Sequence, residues 1–157
     1  LIVICILWIG IIFYNSSNTA SESNKKSYSI VKIIKKSGIK LNISKLKIAG
    51  ERDLNYIIRK NAHFFEYLVL SIFTTAIFFT FNFKGRKAVI YILFISLLIP
   101  VMDEFYQKFI TGRSSNVLDI IIDFAGGIVG MVSYYLFYYK IFRVDKENKI
   151  KSRSLIK

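Results

Sequence analysis

Residues 59–67 read Arg-Lys-Asn-Ala-His-Phe-Phe-Glu-Tyr and run directly into Leu68–Phe81, LVLSIFTTAIFFTF. The only histidine of the chain, His63, and a glutamate, Glu66, thus stand at the mouth of an apolar stretch. A lipid-facing helix has no use for either. Polar side chains at membrane depth are dry anchors, helix-packing devices or parts of a site, and the rest of the sequence bears on which.

Other apolar blocks of this kind surround it. The 157 residues are 54% hydrophobic and 16% aromatic, with mean hydropathy +0.44. The apolar residues fall in long runs, the signature of membrane spans, which need ~20 residues to cross the hydrocarbon. Expected spans are residues 1–14, 62–82, 88–109 and 117–139. The first is short. It reads as a span whose beginning is cut rather than a signal-peptide core, because only Asn18-Thr19-Ala20 follows and no small-x-small cleavage site does. Lys84-Gly85-Arg86-Lys87 joins the second and third spans as an antiparallel hairpin. The expected fold is therefore an all-α polytopic membrane domain over residues 1–139, followed by a basic tail, 140–157, with a mobile end.

Between the first two spans lies a polar stretch, 15–58. Ile30, Ile33 and Ile34 alternate with Lys32, Lys35 and Lys36 at helical spacing until Gly38. A weaker pattern after Ser44 runs through Leu46, Ile48, Leu54, Ile57 and Ile58. One or two short amphipathic helices on the membrane face are expected, with a hairpin around residues 39–43 the less favoured alternative. Tyr134, Tyr135, Tyr138 and Tyr139 read as an interfacial aromatic belt, and Gly126 with Gly130 as a flat packing strip, more apt within the chain than for a homo-oligomer.

The formal charge is +13, from 23 basic against 10 acidic residues. In a chain this apolar the excess faces anionic headgroups rather than nucleic acid. The 84–87 linker and the tail, with seven basic residues from Lys140 to Lys157, are expected in the cytoplasm, and the 15–58 and 110–116 loops outside. The lysines of the first loop oppose that orientation. The lone Cys5 lies in an apolar block and gives no internal disulfide.

Topology brings the polar residues together, whichever way the chain is oriented. The second span begins, the third ends and the fourth begins on one side. There stand His63, Glu66 and Tyr67, then Asp103, Glu104 and Gln107, then Asp119 and Asp123. His63 shares a helix face with Glu66 and Tyr67, Asp103 with Gln107, and Asp119 with Asp123. An ionised carboxylate at such depth costs several kcal/mol unless it is paired or wet. Compensation must come from His63, Arg59, Arg113, protons or a divalent cation. Helix-holding needs one or two such groups, and this is many more. His63, Glu66, Asp103 and Asp123 are therefore the expected acid–base or ligand-binding centre. Arg59, Tyr67, Glu104, Gln107, Arg113 and Asp119 are expected to bind ligand around it, and Asp103, Glu104, Asp119 and Asp123 to hold a cation if one binds. Arg113 could clamp a phosphate, while Ser114, Ser115 and Asn116 read as helix caps.

Three chemistries fit these residues: binding of an anionic envelope ligand or cation, catalysis on a lipid-linked or phosphorylated substrate, and proton-coupled transport. No HExxH motif and no positioned serine or cysteine nucleophile is present.

The ordered set Arg59-Lys60-x-x-His63-x-x-Glu66-Tyr67, Asp103-Glu104-x-x-Gln107, Gly112-Arg113 with Asp119, and Asp123-x-x-Gly126-x-x-x-Gly130 resembles the VanZ-like family. The resemblance extends to the first span and to the serine-rich stretch Asn15–Ser29 after it. It implies a small bacterial membrane protein of about four helices, of unassigned biochemical activity, with a namesake associated with resistance to the glycopeptide teicoplanin. A lipid-linked envelope precursor or the glycopeptide is the partner it implies besides the bilayer. Two residues depart from the family pattern: Asp123 stands where Asn is usual, which adds a charge, and Asn18 where Gln is usual.

Overall fold

The computed structural model describes residues 1–36 and 51–154. Five helices follow one another: α1 (Ile2–Ser16), α2 (Ala20–Lys36), α3 (Glu51–Thr80), α4 (Arg86–Gln107) and α5 (Val117–Ser154). No strand occurs among the described residues. Three stretches are long and apolar enough to cross a membrane: Asn55–Thr80, Arg86–Gln107 and Val117–Ile141. A fourth crossing exists if α1 and the first part of α2, bent by 104° at their junction, count as one broken span. The chain is thus a polytopic membrane protein, and large apolar side chains such as Val3, Phe94, Phe105 and Leu136 lie on its outside.

Several boundaries differ from the sequence reading. The second span begins at Asn55 rather than at 62, because Tyr56, Ile57 and Ile58 continue the helix into residues expected to form a surface segment. The first amphipathic pattern is present as α2. The pattern beginning at Leu46 and the alternative hairpin at 39–43 lie outside the described residues. α5 continues without a break to Ser154, through most of the residues read as the basic tail. At 1.5 Å per residue that helix is about 57 Å long, well beyond a ~30 Å hydrocarbon core.

Local chemistry explains why α2 turns away from α1. The Ser17 and Asn18 side chains bond back to carbonyls of the last α1 turn. Thr19 and Glu22 then form a reciprocal capping box. Glu22 Oε2 accepts from the Thr19 N–H at 2.9 Å, and Thr19 Oγ1 accepts from the Glu22 N–H at 3.3 Å. The Ala20 N–H reaches the Thr111 carbonyl at 3.4 Å, which ties the start of α2 to the loop between α4 and α5. In that loop Gly112 adopts φ +76°, and a Cβ there would press on the Ala20 side chain at 3.3 Å.

The helix pair α3 and α5 forms the spine of the bundle. Gly126 lies on the Phe64 carbonyl and Gly130 on the Leu68 carbonyl, so closely that a Cβ at either would overlap the carbonyl oxygen. Gly127 faces Ser96 of α4 in the same way, its notional Cβ only 2.8 Å from the Ser96 Cβ. The small residues expected to serve packing therefore serve it within the chain. Without a hydrophobic drive between helices in lipid, this van der Waals contact is a main source of cohesion. α1 runs antiparallel to α3, with Cys5, Ile12, Tyr67 and Leu70 buried together and Trp8 edge-on to Phe73. At the opposite end the tyrosines do more than line an interface. Phe79 meets Tyr134, Tyr135 and Tyr138 edge to face, and Lys84 donates to Tyr138 Oη at 2.8 Å.

Replacing Gly130 with Leu should force α5 off α3 and cost roughly 1–3 kcal/mol, as overpacking does. The thermal midpoint of the purified protein in detergent should fall. Gly10→Ala is the control and should not lower it, since nothing lies within 4 Å of a Cβ at Gly10. An unchanged midpoint for Gly130→Leu would contradict the packing described.

Candidate functional site

α3 delivers His63, Glu66 and Tyr67 to the end of the bundle where α4 finishes and α5 begins. His63 is 17 residues from Thr80, about 25 Å along the helix axis, so it lies near one face of the hydrocarbon layer. Asp103, Glu104 and Gln107 occupy the last turns of α4, and Asp123 the second turn of α5. All four are buried, with Asp103 at 0% and Asp123 at 1% exposure. Five of the ten acidic residues are gathered here: Glu66, Asp103, Glu104, Asp119 and Asp123.

Hydrogen bonds sort these carboxylates into different kinds. Glu104 Oε2 accepts from the Asn116 N–H at 2.9 Å, holding the loop before α5. Asp119 is ion-paired with Lys60. Glu66 Oε1 accepts from Asn15 Nδ2 at 2.7 Å, and its Oε2 lies 3.8 Å from His63 Nδ1. Asp103 Oδ2 accepts from Gln107 Nε2 at 2.9 Å. Among the described residues no hydrogen-bond partner is found for either oxygen of Asp123 or for His63 Nδ1, while the Tyr67 hydroxyl and Asp103 lie close enough to interact but without a well-formed bond between them. Buried polar atoms are almost always partnered, so this gathering of incompletely bonded groups from three helices marks a place for something else.

His63, Asp103 and Asp123 each offer one donor atom, and the three atoms lie within 4.8 Å of one another. Neighbouring ligands at bond lengths of about 2.0–2.4 Å stand ~3–4 Å apart, so the three atoms would have to draw closer to hold a cation together. One imidazole nitrogen with carboxylate oxygens suits zinc, manganese or iron, and the carboxylates alone suit magnesium. Among the described residues this is the group with that property. It includes Asp103 and Asp123 of the four carboxylates expected to hold a cation, and adds His63. Glu104 and Asp119 are engaged by Asn116 and Lys60.

Arg113 anchors the rim. Its Nη1 donates to Gln107 Oε1 at 2.7 Å and its Nε to the Asn18 carbonyl at 3.0 Å. Gln107 in turn donates to Asp103 and, at 3.3 Å, to Ser16 Oγ. One amide therefore links a loop guanidinium to a buried carboxylate and fixes that carboxylate's orientation. Burial, and then the neighbouring Arg59 charge, press the Arg113 guanidinium below its ordinary pKa. Two such cations side by side favour an anion between them.

Two cavities adjoin the cluster. One, of about 180 Å³, has a polar lining that includes Tyr56, Arg59, Lys60, His63, Gln107 and Arg113. The other, of about 250 Å³, lies between α2 and α3; Ile30, Ile58 and Ala62 give it apolar wall, and Ser23, Lys26, Ser27 and Glu66 are among the polar residues that complete it. The structure thus brings every expected site residue to one end of the bundle, Arg59 and Arg113 included. Sequence reasoning missed Asn15, Ser16 and Trp8, whose indole donates to the Glu66 carbonyl at 2.9 Å. The signal for Asn15 and Ser16 was their position, polar residues closing an apolar helix that must end beside the cluster.

Comparison with curated proteins and with solved structures returns no match. The profile of one family, VanZ/LLP1, matches residues 1–138, which takes in α1 to α4, all but the last three residues of the final membrane span and every residue of the cluster. The chain belongs to the VanZ/LLP1 family.

Proposed function

We propose that this protein is a membrane-embedded enzyme acting on a lipid-linked or phosphorylated envelope substrate, with His63, Asp103 and Asp123 at its reacting centre. The observation that carries this reading is the set of incompletely bonded buried donors contributed by three different helices. Residues that only hold helices together pair with one another. Here Glu66, Glu104 and Asp119 find partners at the rim and Asp103 finds one in Gln107, while both oxygens of Asp123 stay unpaired among the described residues.

A divalent cation held by the three residues would polarise a phosphoryl or carbonyl oxygen and ease ionisation of bound water. The chain's own residues supply the remainder. Gln107 holds Asp103 at a fixed angle. Where Asp103 and Asp123 alone hold the cation, or none binds, His63 is instead the group that would take or give a proton beside Asp123. Arg59 and Arg113 line the adjoining cavity and would carry the negative charge of a phosphate. The excess of Lys and Arg in the 84–87 linker and the tail supports an extracytoplasmic position for this centre, where envelope precursors are exposed.

A second reading is favoured by the same basic cavity: tight binding of an anionic envelope ligand without turnover, with altered glycopeptide susceptibility as its consequence. The two readings part on chemistry. Lipid extracts of a strain lacking the protein should accumulate a phosphorylated species if it is an enzyme. Complementation with His63→Ala should leave that accumulation in place even though the variant is expressed and folded. Normal lipid profiles in both strains would leave only the binding reading.

Cation titration of the purified protein, followed by calorimetry with manganese, zinc and magnesium, tests the centre directly. The wild type should bind, and Asp123→Asn should not. Gln107→Leu, which frees Asp103 to rotate, should weaken binding roughly 10–100-fold, as loss of a ligand-orienting contact does. Equal affinity in wild type and Asp123→Asn would remove the cation from the proposal.

A further inference from the structure

The two cavities beside the cluster differ in character yet share a wall. Arg59, His63 and Arg113 line both. On one side of that wall the surroundings are polar: Lys60, Gln107, Ser114, Asn116 and Asp119. On the other the cavity runs along the seam between α2 and α3. Ile30, Ile58 and Ala62 provide apolar surface there, and Ile30 is 46% exposed. The Lys26 amine, bound to Asn18 Oδ1 at 3.2 Å, stands at that cavity's polar end.

We propose, resting on the enzymatic reading above, that the two cavities receive the two halves of one amphiphilic phosphate ester. The phosphate head lies in the polar cavity against Arg59 and Arg113, and the hydrocarbon chain follows Ile30, Ile58 and Ala62 out between α2 and α3. A free phosphate would need only the polar cavity, and an uncharged lipid only the apolar one. Their meeting at His63 puts the ester linkage of an amphiphile beside Asp103 and Asp123. The paired guanidiniums match a phosphate's charge. The 104° bend between α1 and α2 lays α2 over the apolar-walled cavity, to which it contributes Ser23, Lys26, Ser27 and, at the far end, Ile30. A chain entering there passes from lipid to apolar wall without crossing water, and each buried methylene contributes about 0.8 kcal/mol.

The test uses the full-length protein in maltoside micelles and four probes: inorganic phosphate, butyl phosphate, dodecyl phosphate and dodecanol. Dodecyl phosphate should bind at least about tenfold more tightly than butyl phosphate, and dodecanol should bind far more weakly than either ester. Ile58→Trp, which fills the apolar cavity, should bring dodecyl phosphate down to the affinity of butyl phosphate and leave inorganic phosphate binding unchanged. Ile30→Glu, at a half-exposed position, should do the same provided its helix content matches that of the wild type. Equal affinity for the two esters overturns the proposal, as does dodecanol binding as tightly as dodecyl phosphate, or a chain-length preference that both variants retain. A cation titration of the same preparation separates the two levels. Cation binding without chain-length preference overturns this assignment and leaves the reacting centre standing. A chain-length preference that both variants erase supports it whether or not a cation binds.

Discussion

The close seating of α5 on α3 governs the rest of the structure. Gly126 and Gly130 present no side chain, so the Phe64 and Leu68 carbonyls of α3 settle into the surface of α5. Asp123 is three residues before Gly126 and therefore lies on the same face. The contact that gives the bundle its cohesion also carries Asp123 against His63. A bulkier strip would hold the helices apart by the width of a side chain, and the Asp123 oxygens could not share a site with His63 and Asp103. In lipid, where apolar side chains gain nothing by leaving their solvent, such backbone proximity is among the few ways to make a helix pair adhere.

The cost of this arrangement is electrostatic, and the fold distributes its relief unevenly. Lys60 compensates Asp119, the Asn116 backbone holds Glu104, and Asn15 holds Glu66. Arg113 reaches Asp103 only through Gln107. Asp123 has no hydrogen-bond partner among the described residues. The compensation is thus complete at the rim and missing at the centre. A cation or a shared proton at the centre would complete it.

The approach to this centre follows from α2. A capping box starts that helix immediately after α1, and the Ala20–Thr111 contact pins it over the end of the bundle. α2 then closes one side of a cavity whose other side is α3. Of the amphipathic pattern in α2, Ile30 is therefore tied to the site. The Asn24–Asn55 hydrogen bond at 3.1 Å holds the same seam farther along.

The sequence alone determined the membrane character, three of the spans and the end of the bundle where the polar residues collect. Those follow from hydropathy and from chain direction alternating at each crossing, both of which are one-dimensional properties. His63, Glu66, Asp103 and Asp123 stood out because charge inside an apolar run is conspicuous without any structure. Only the tertiary structure decided which carboxylates are already satisfied, because a hydrogen bond joins residues such as Asn15 and Glu66, or Ser16 and Gln107, that are far apart in the chain. It also decided that α3 begins well before its apolar core and that α5 extends far beyond its own, since helices continue wherever the backbone is not interrupted and do not end where hydropathy does. The grouping of His63 with Asp103 and Asp123 is a matter of a few ångströms. Spacing along the chain places residues on a helix face, but the distance between two faces is set by what lies between them, and here that is glycine.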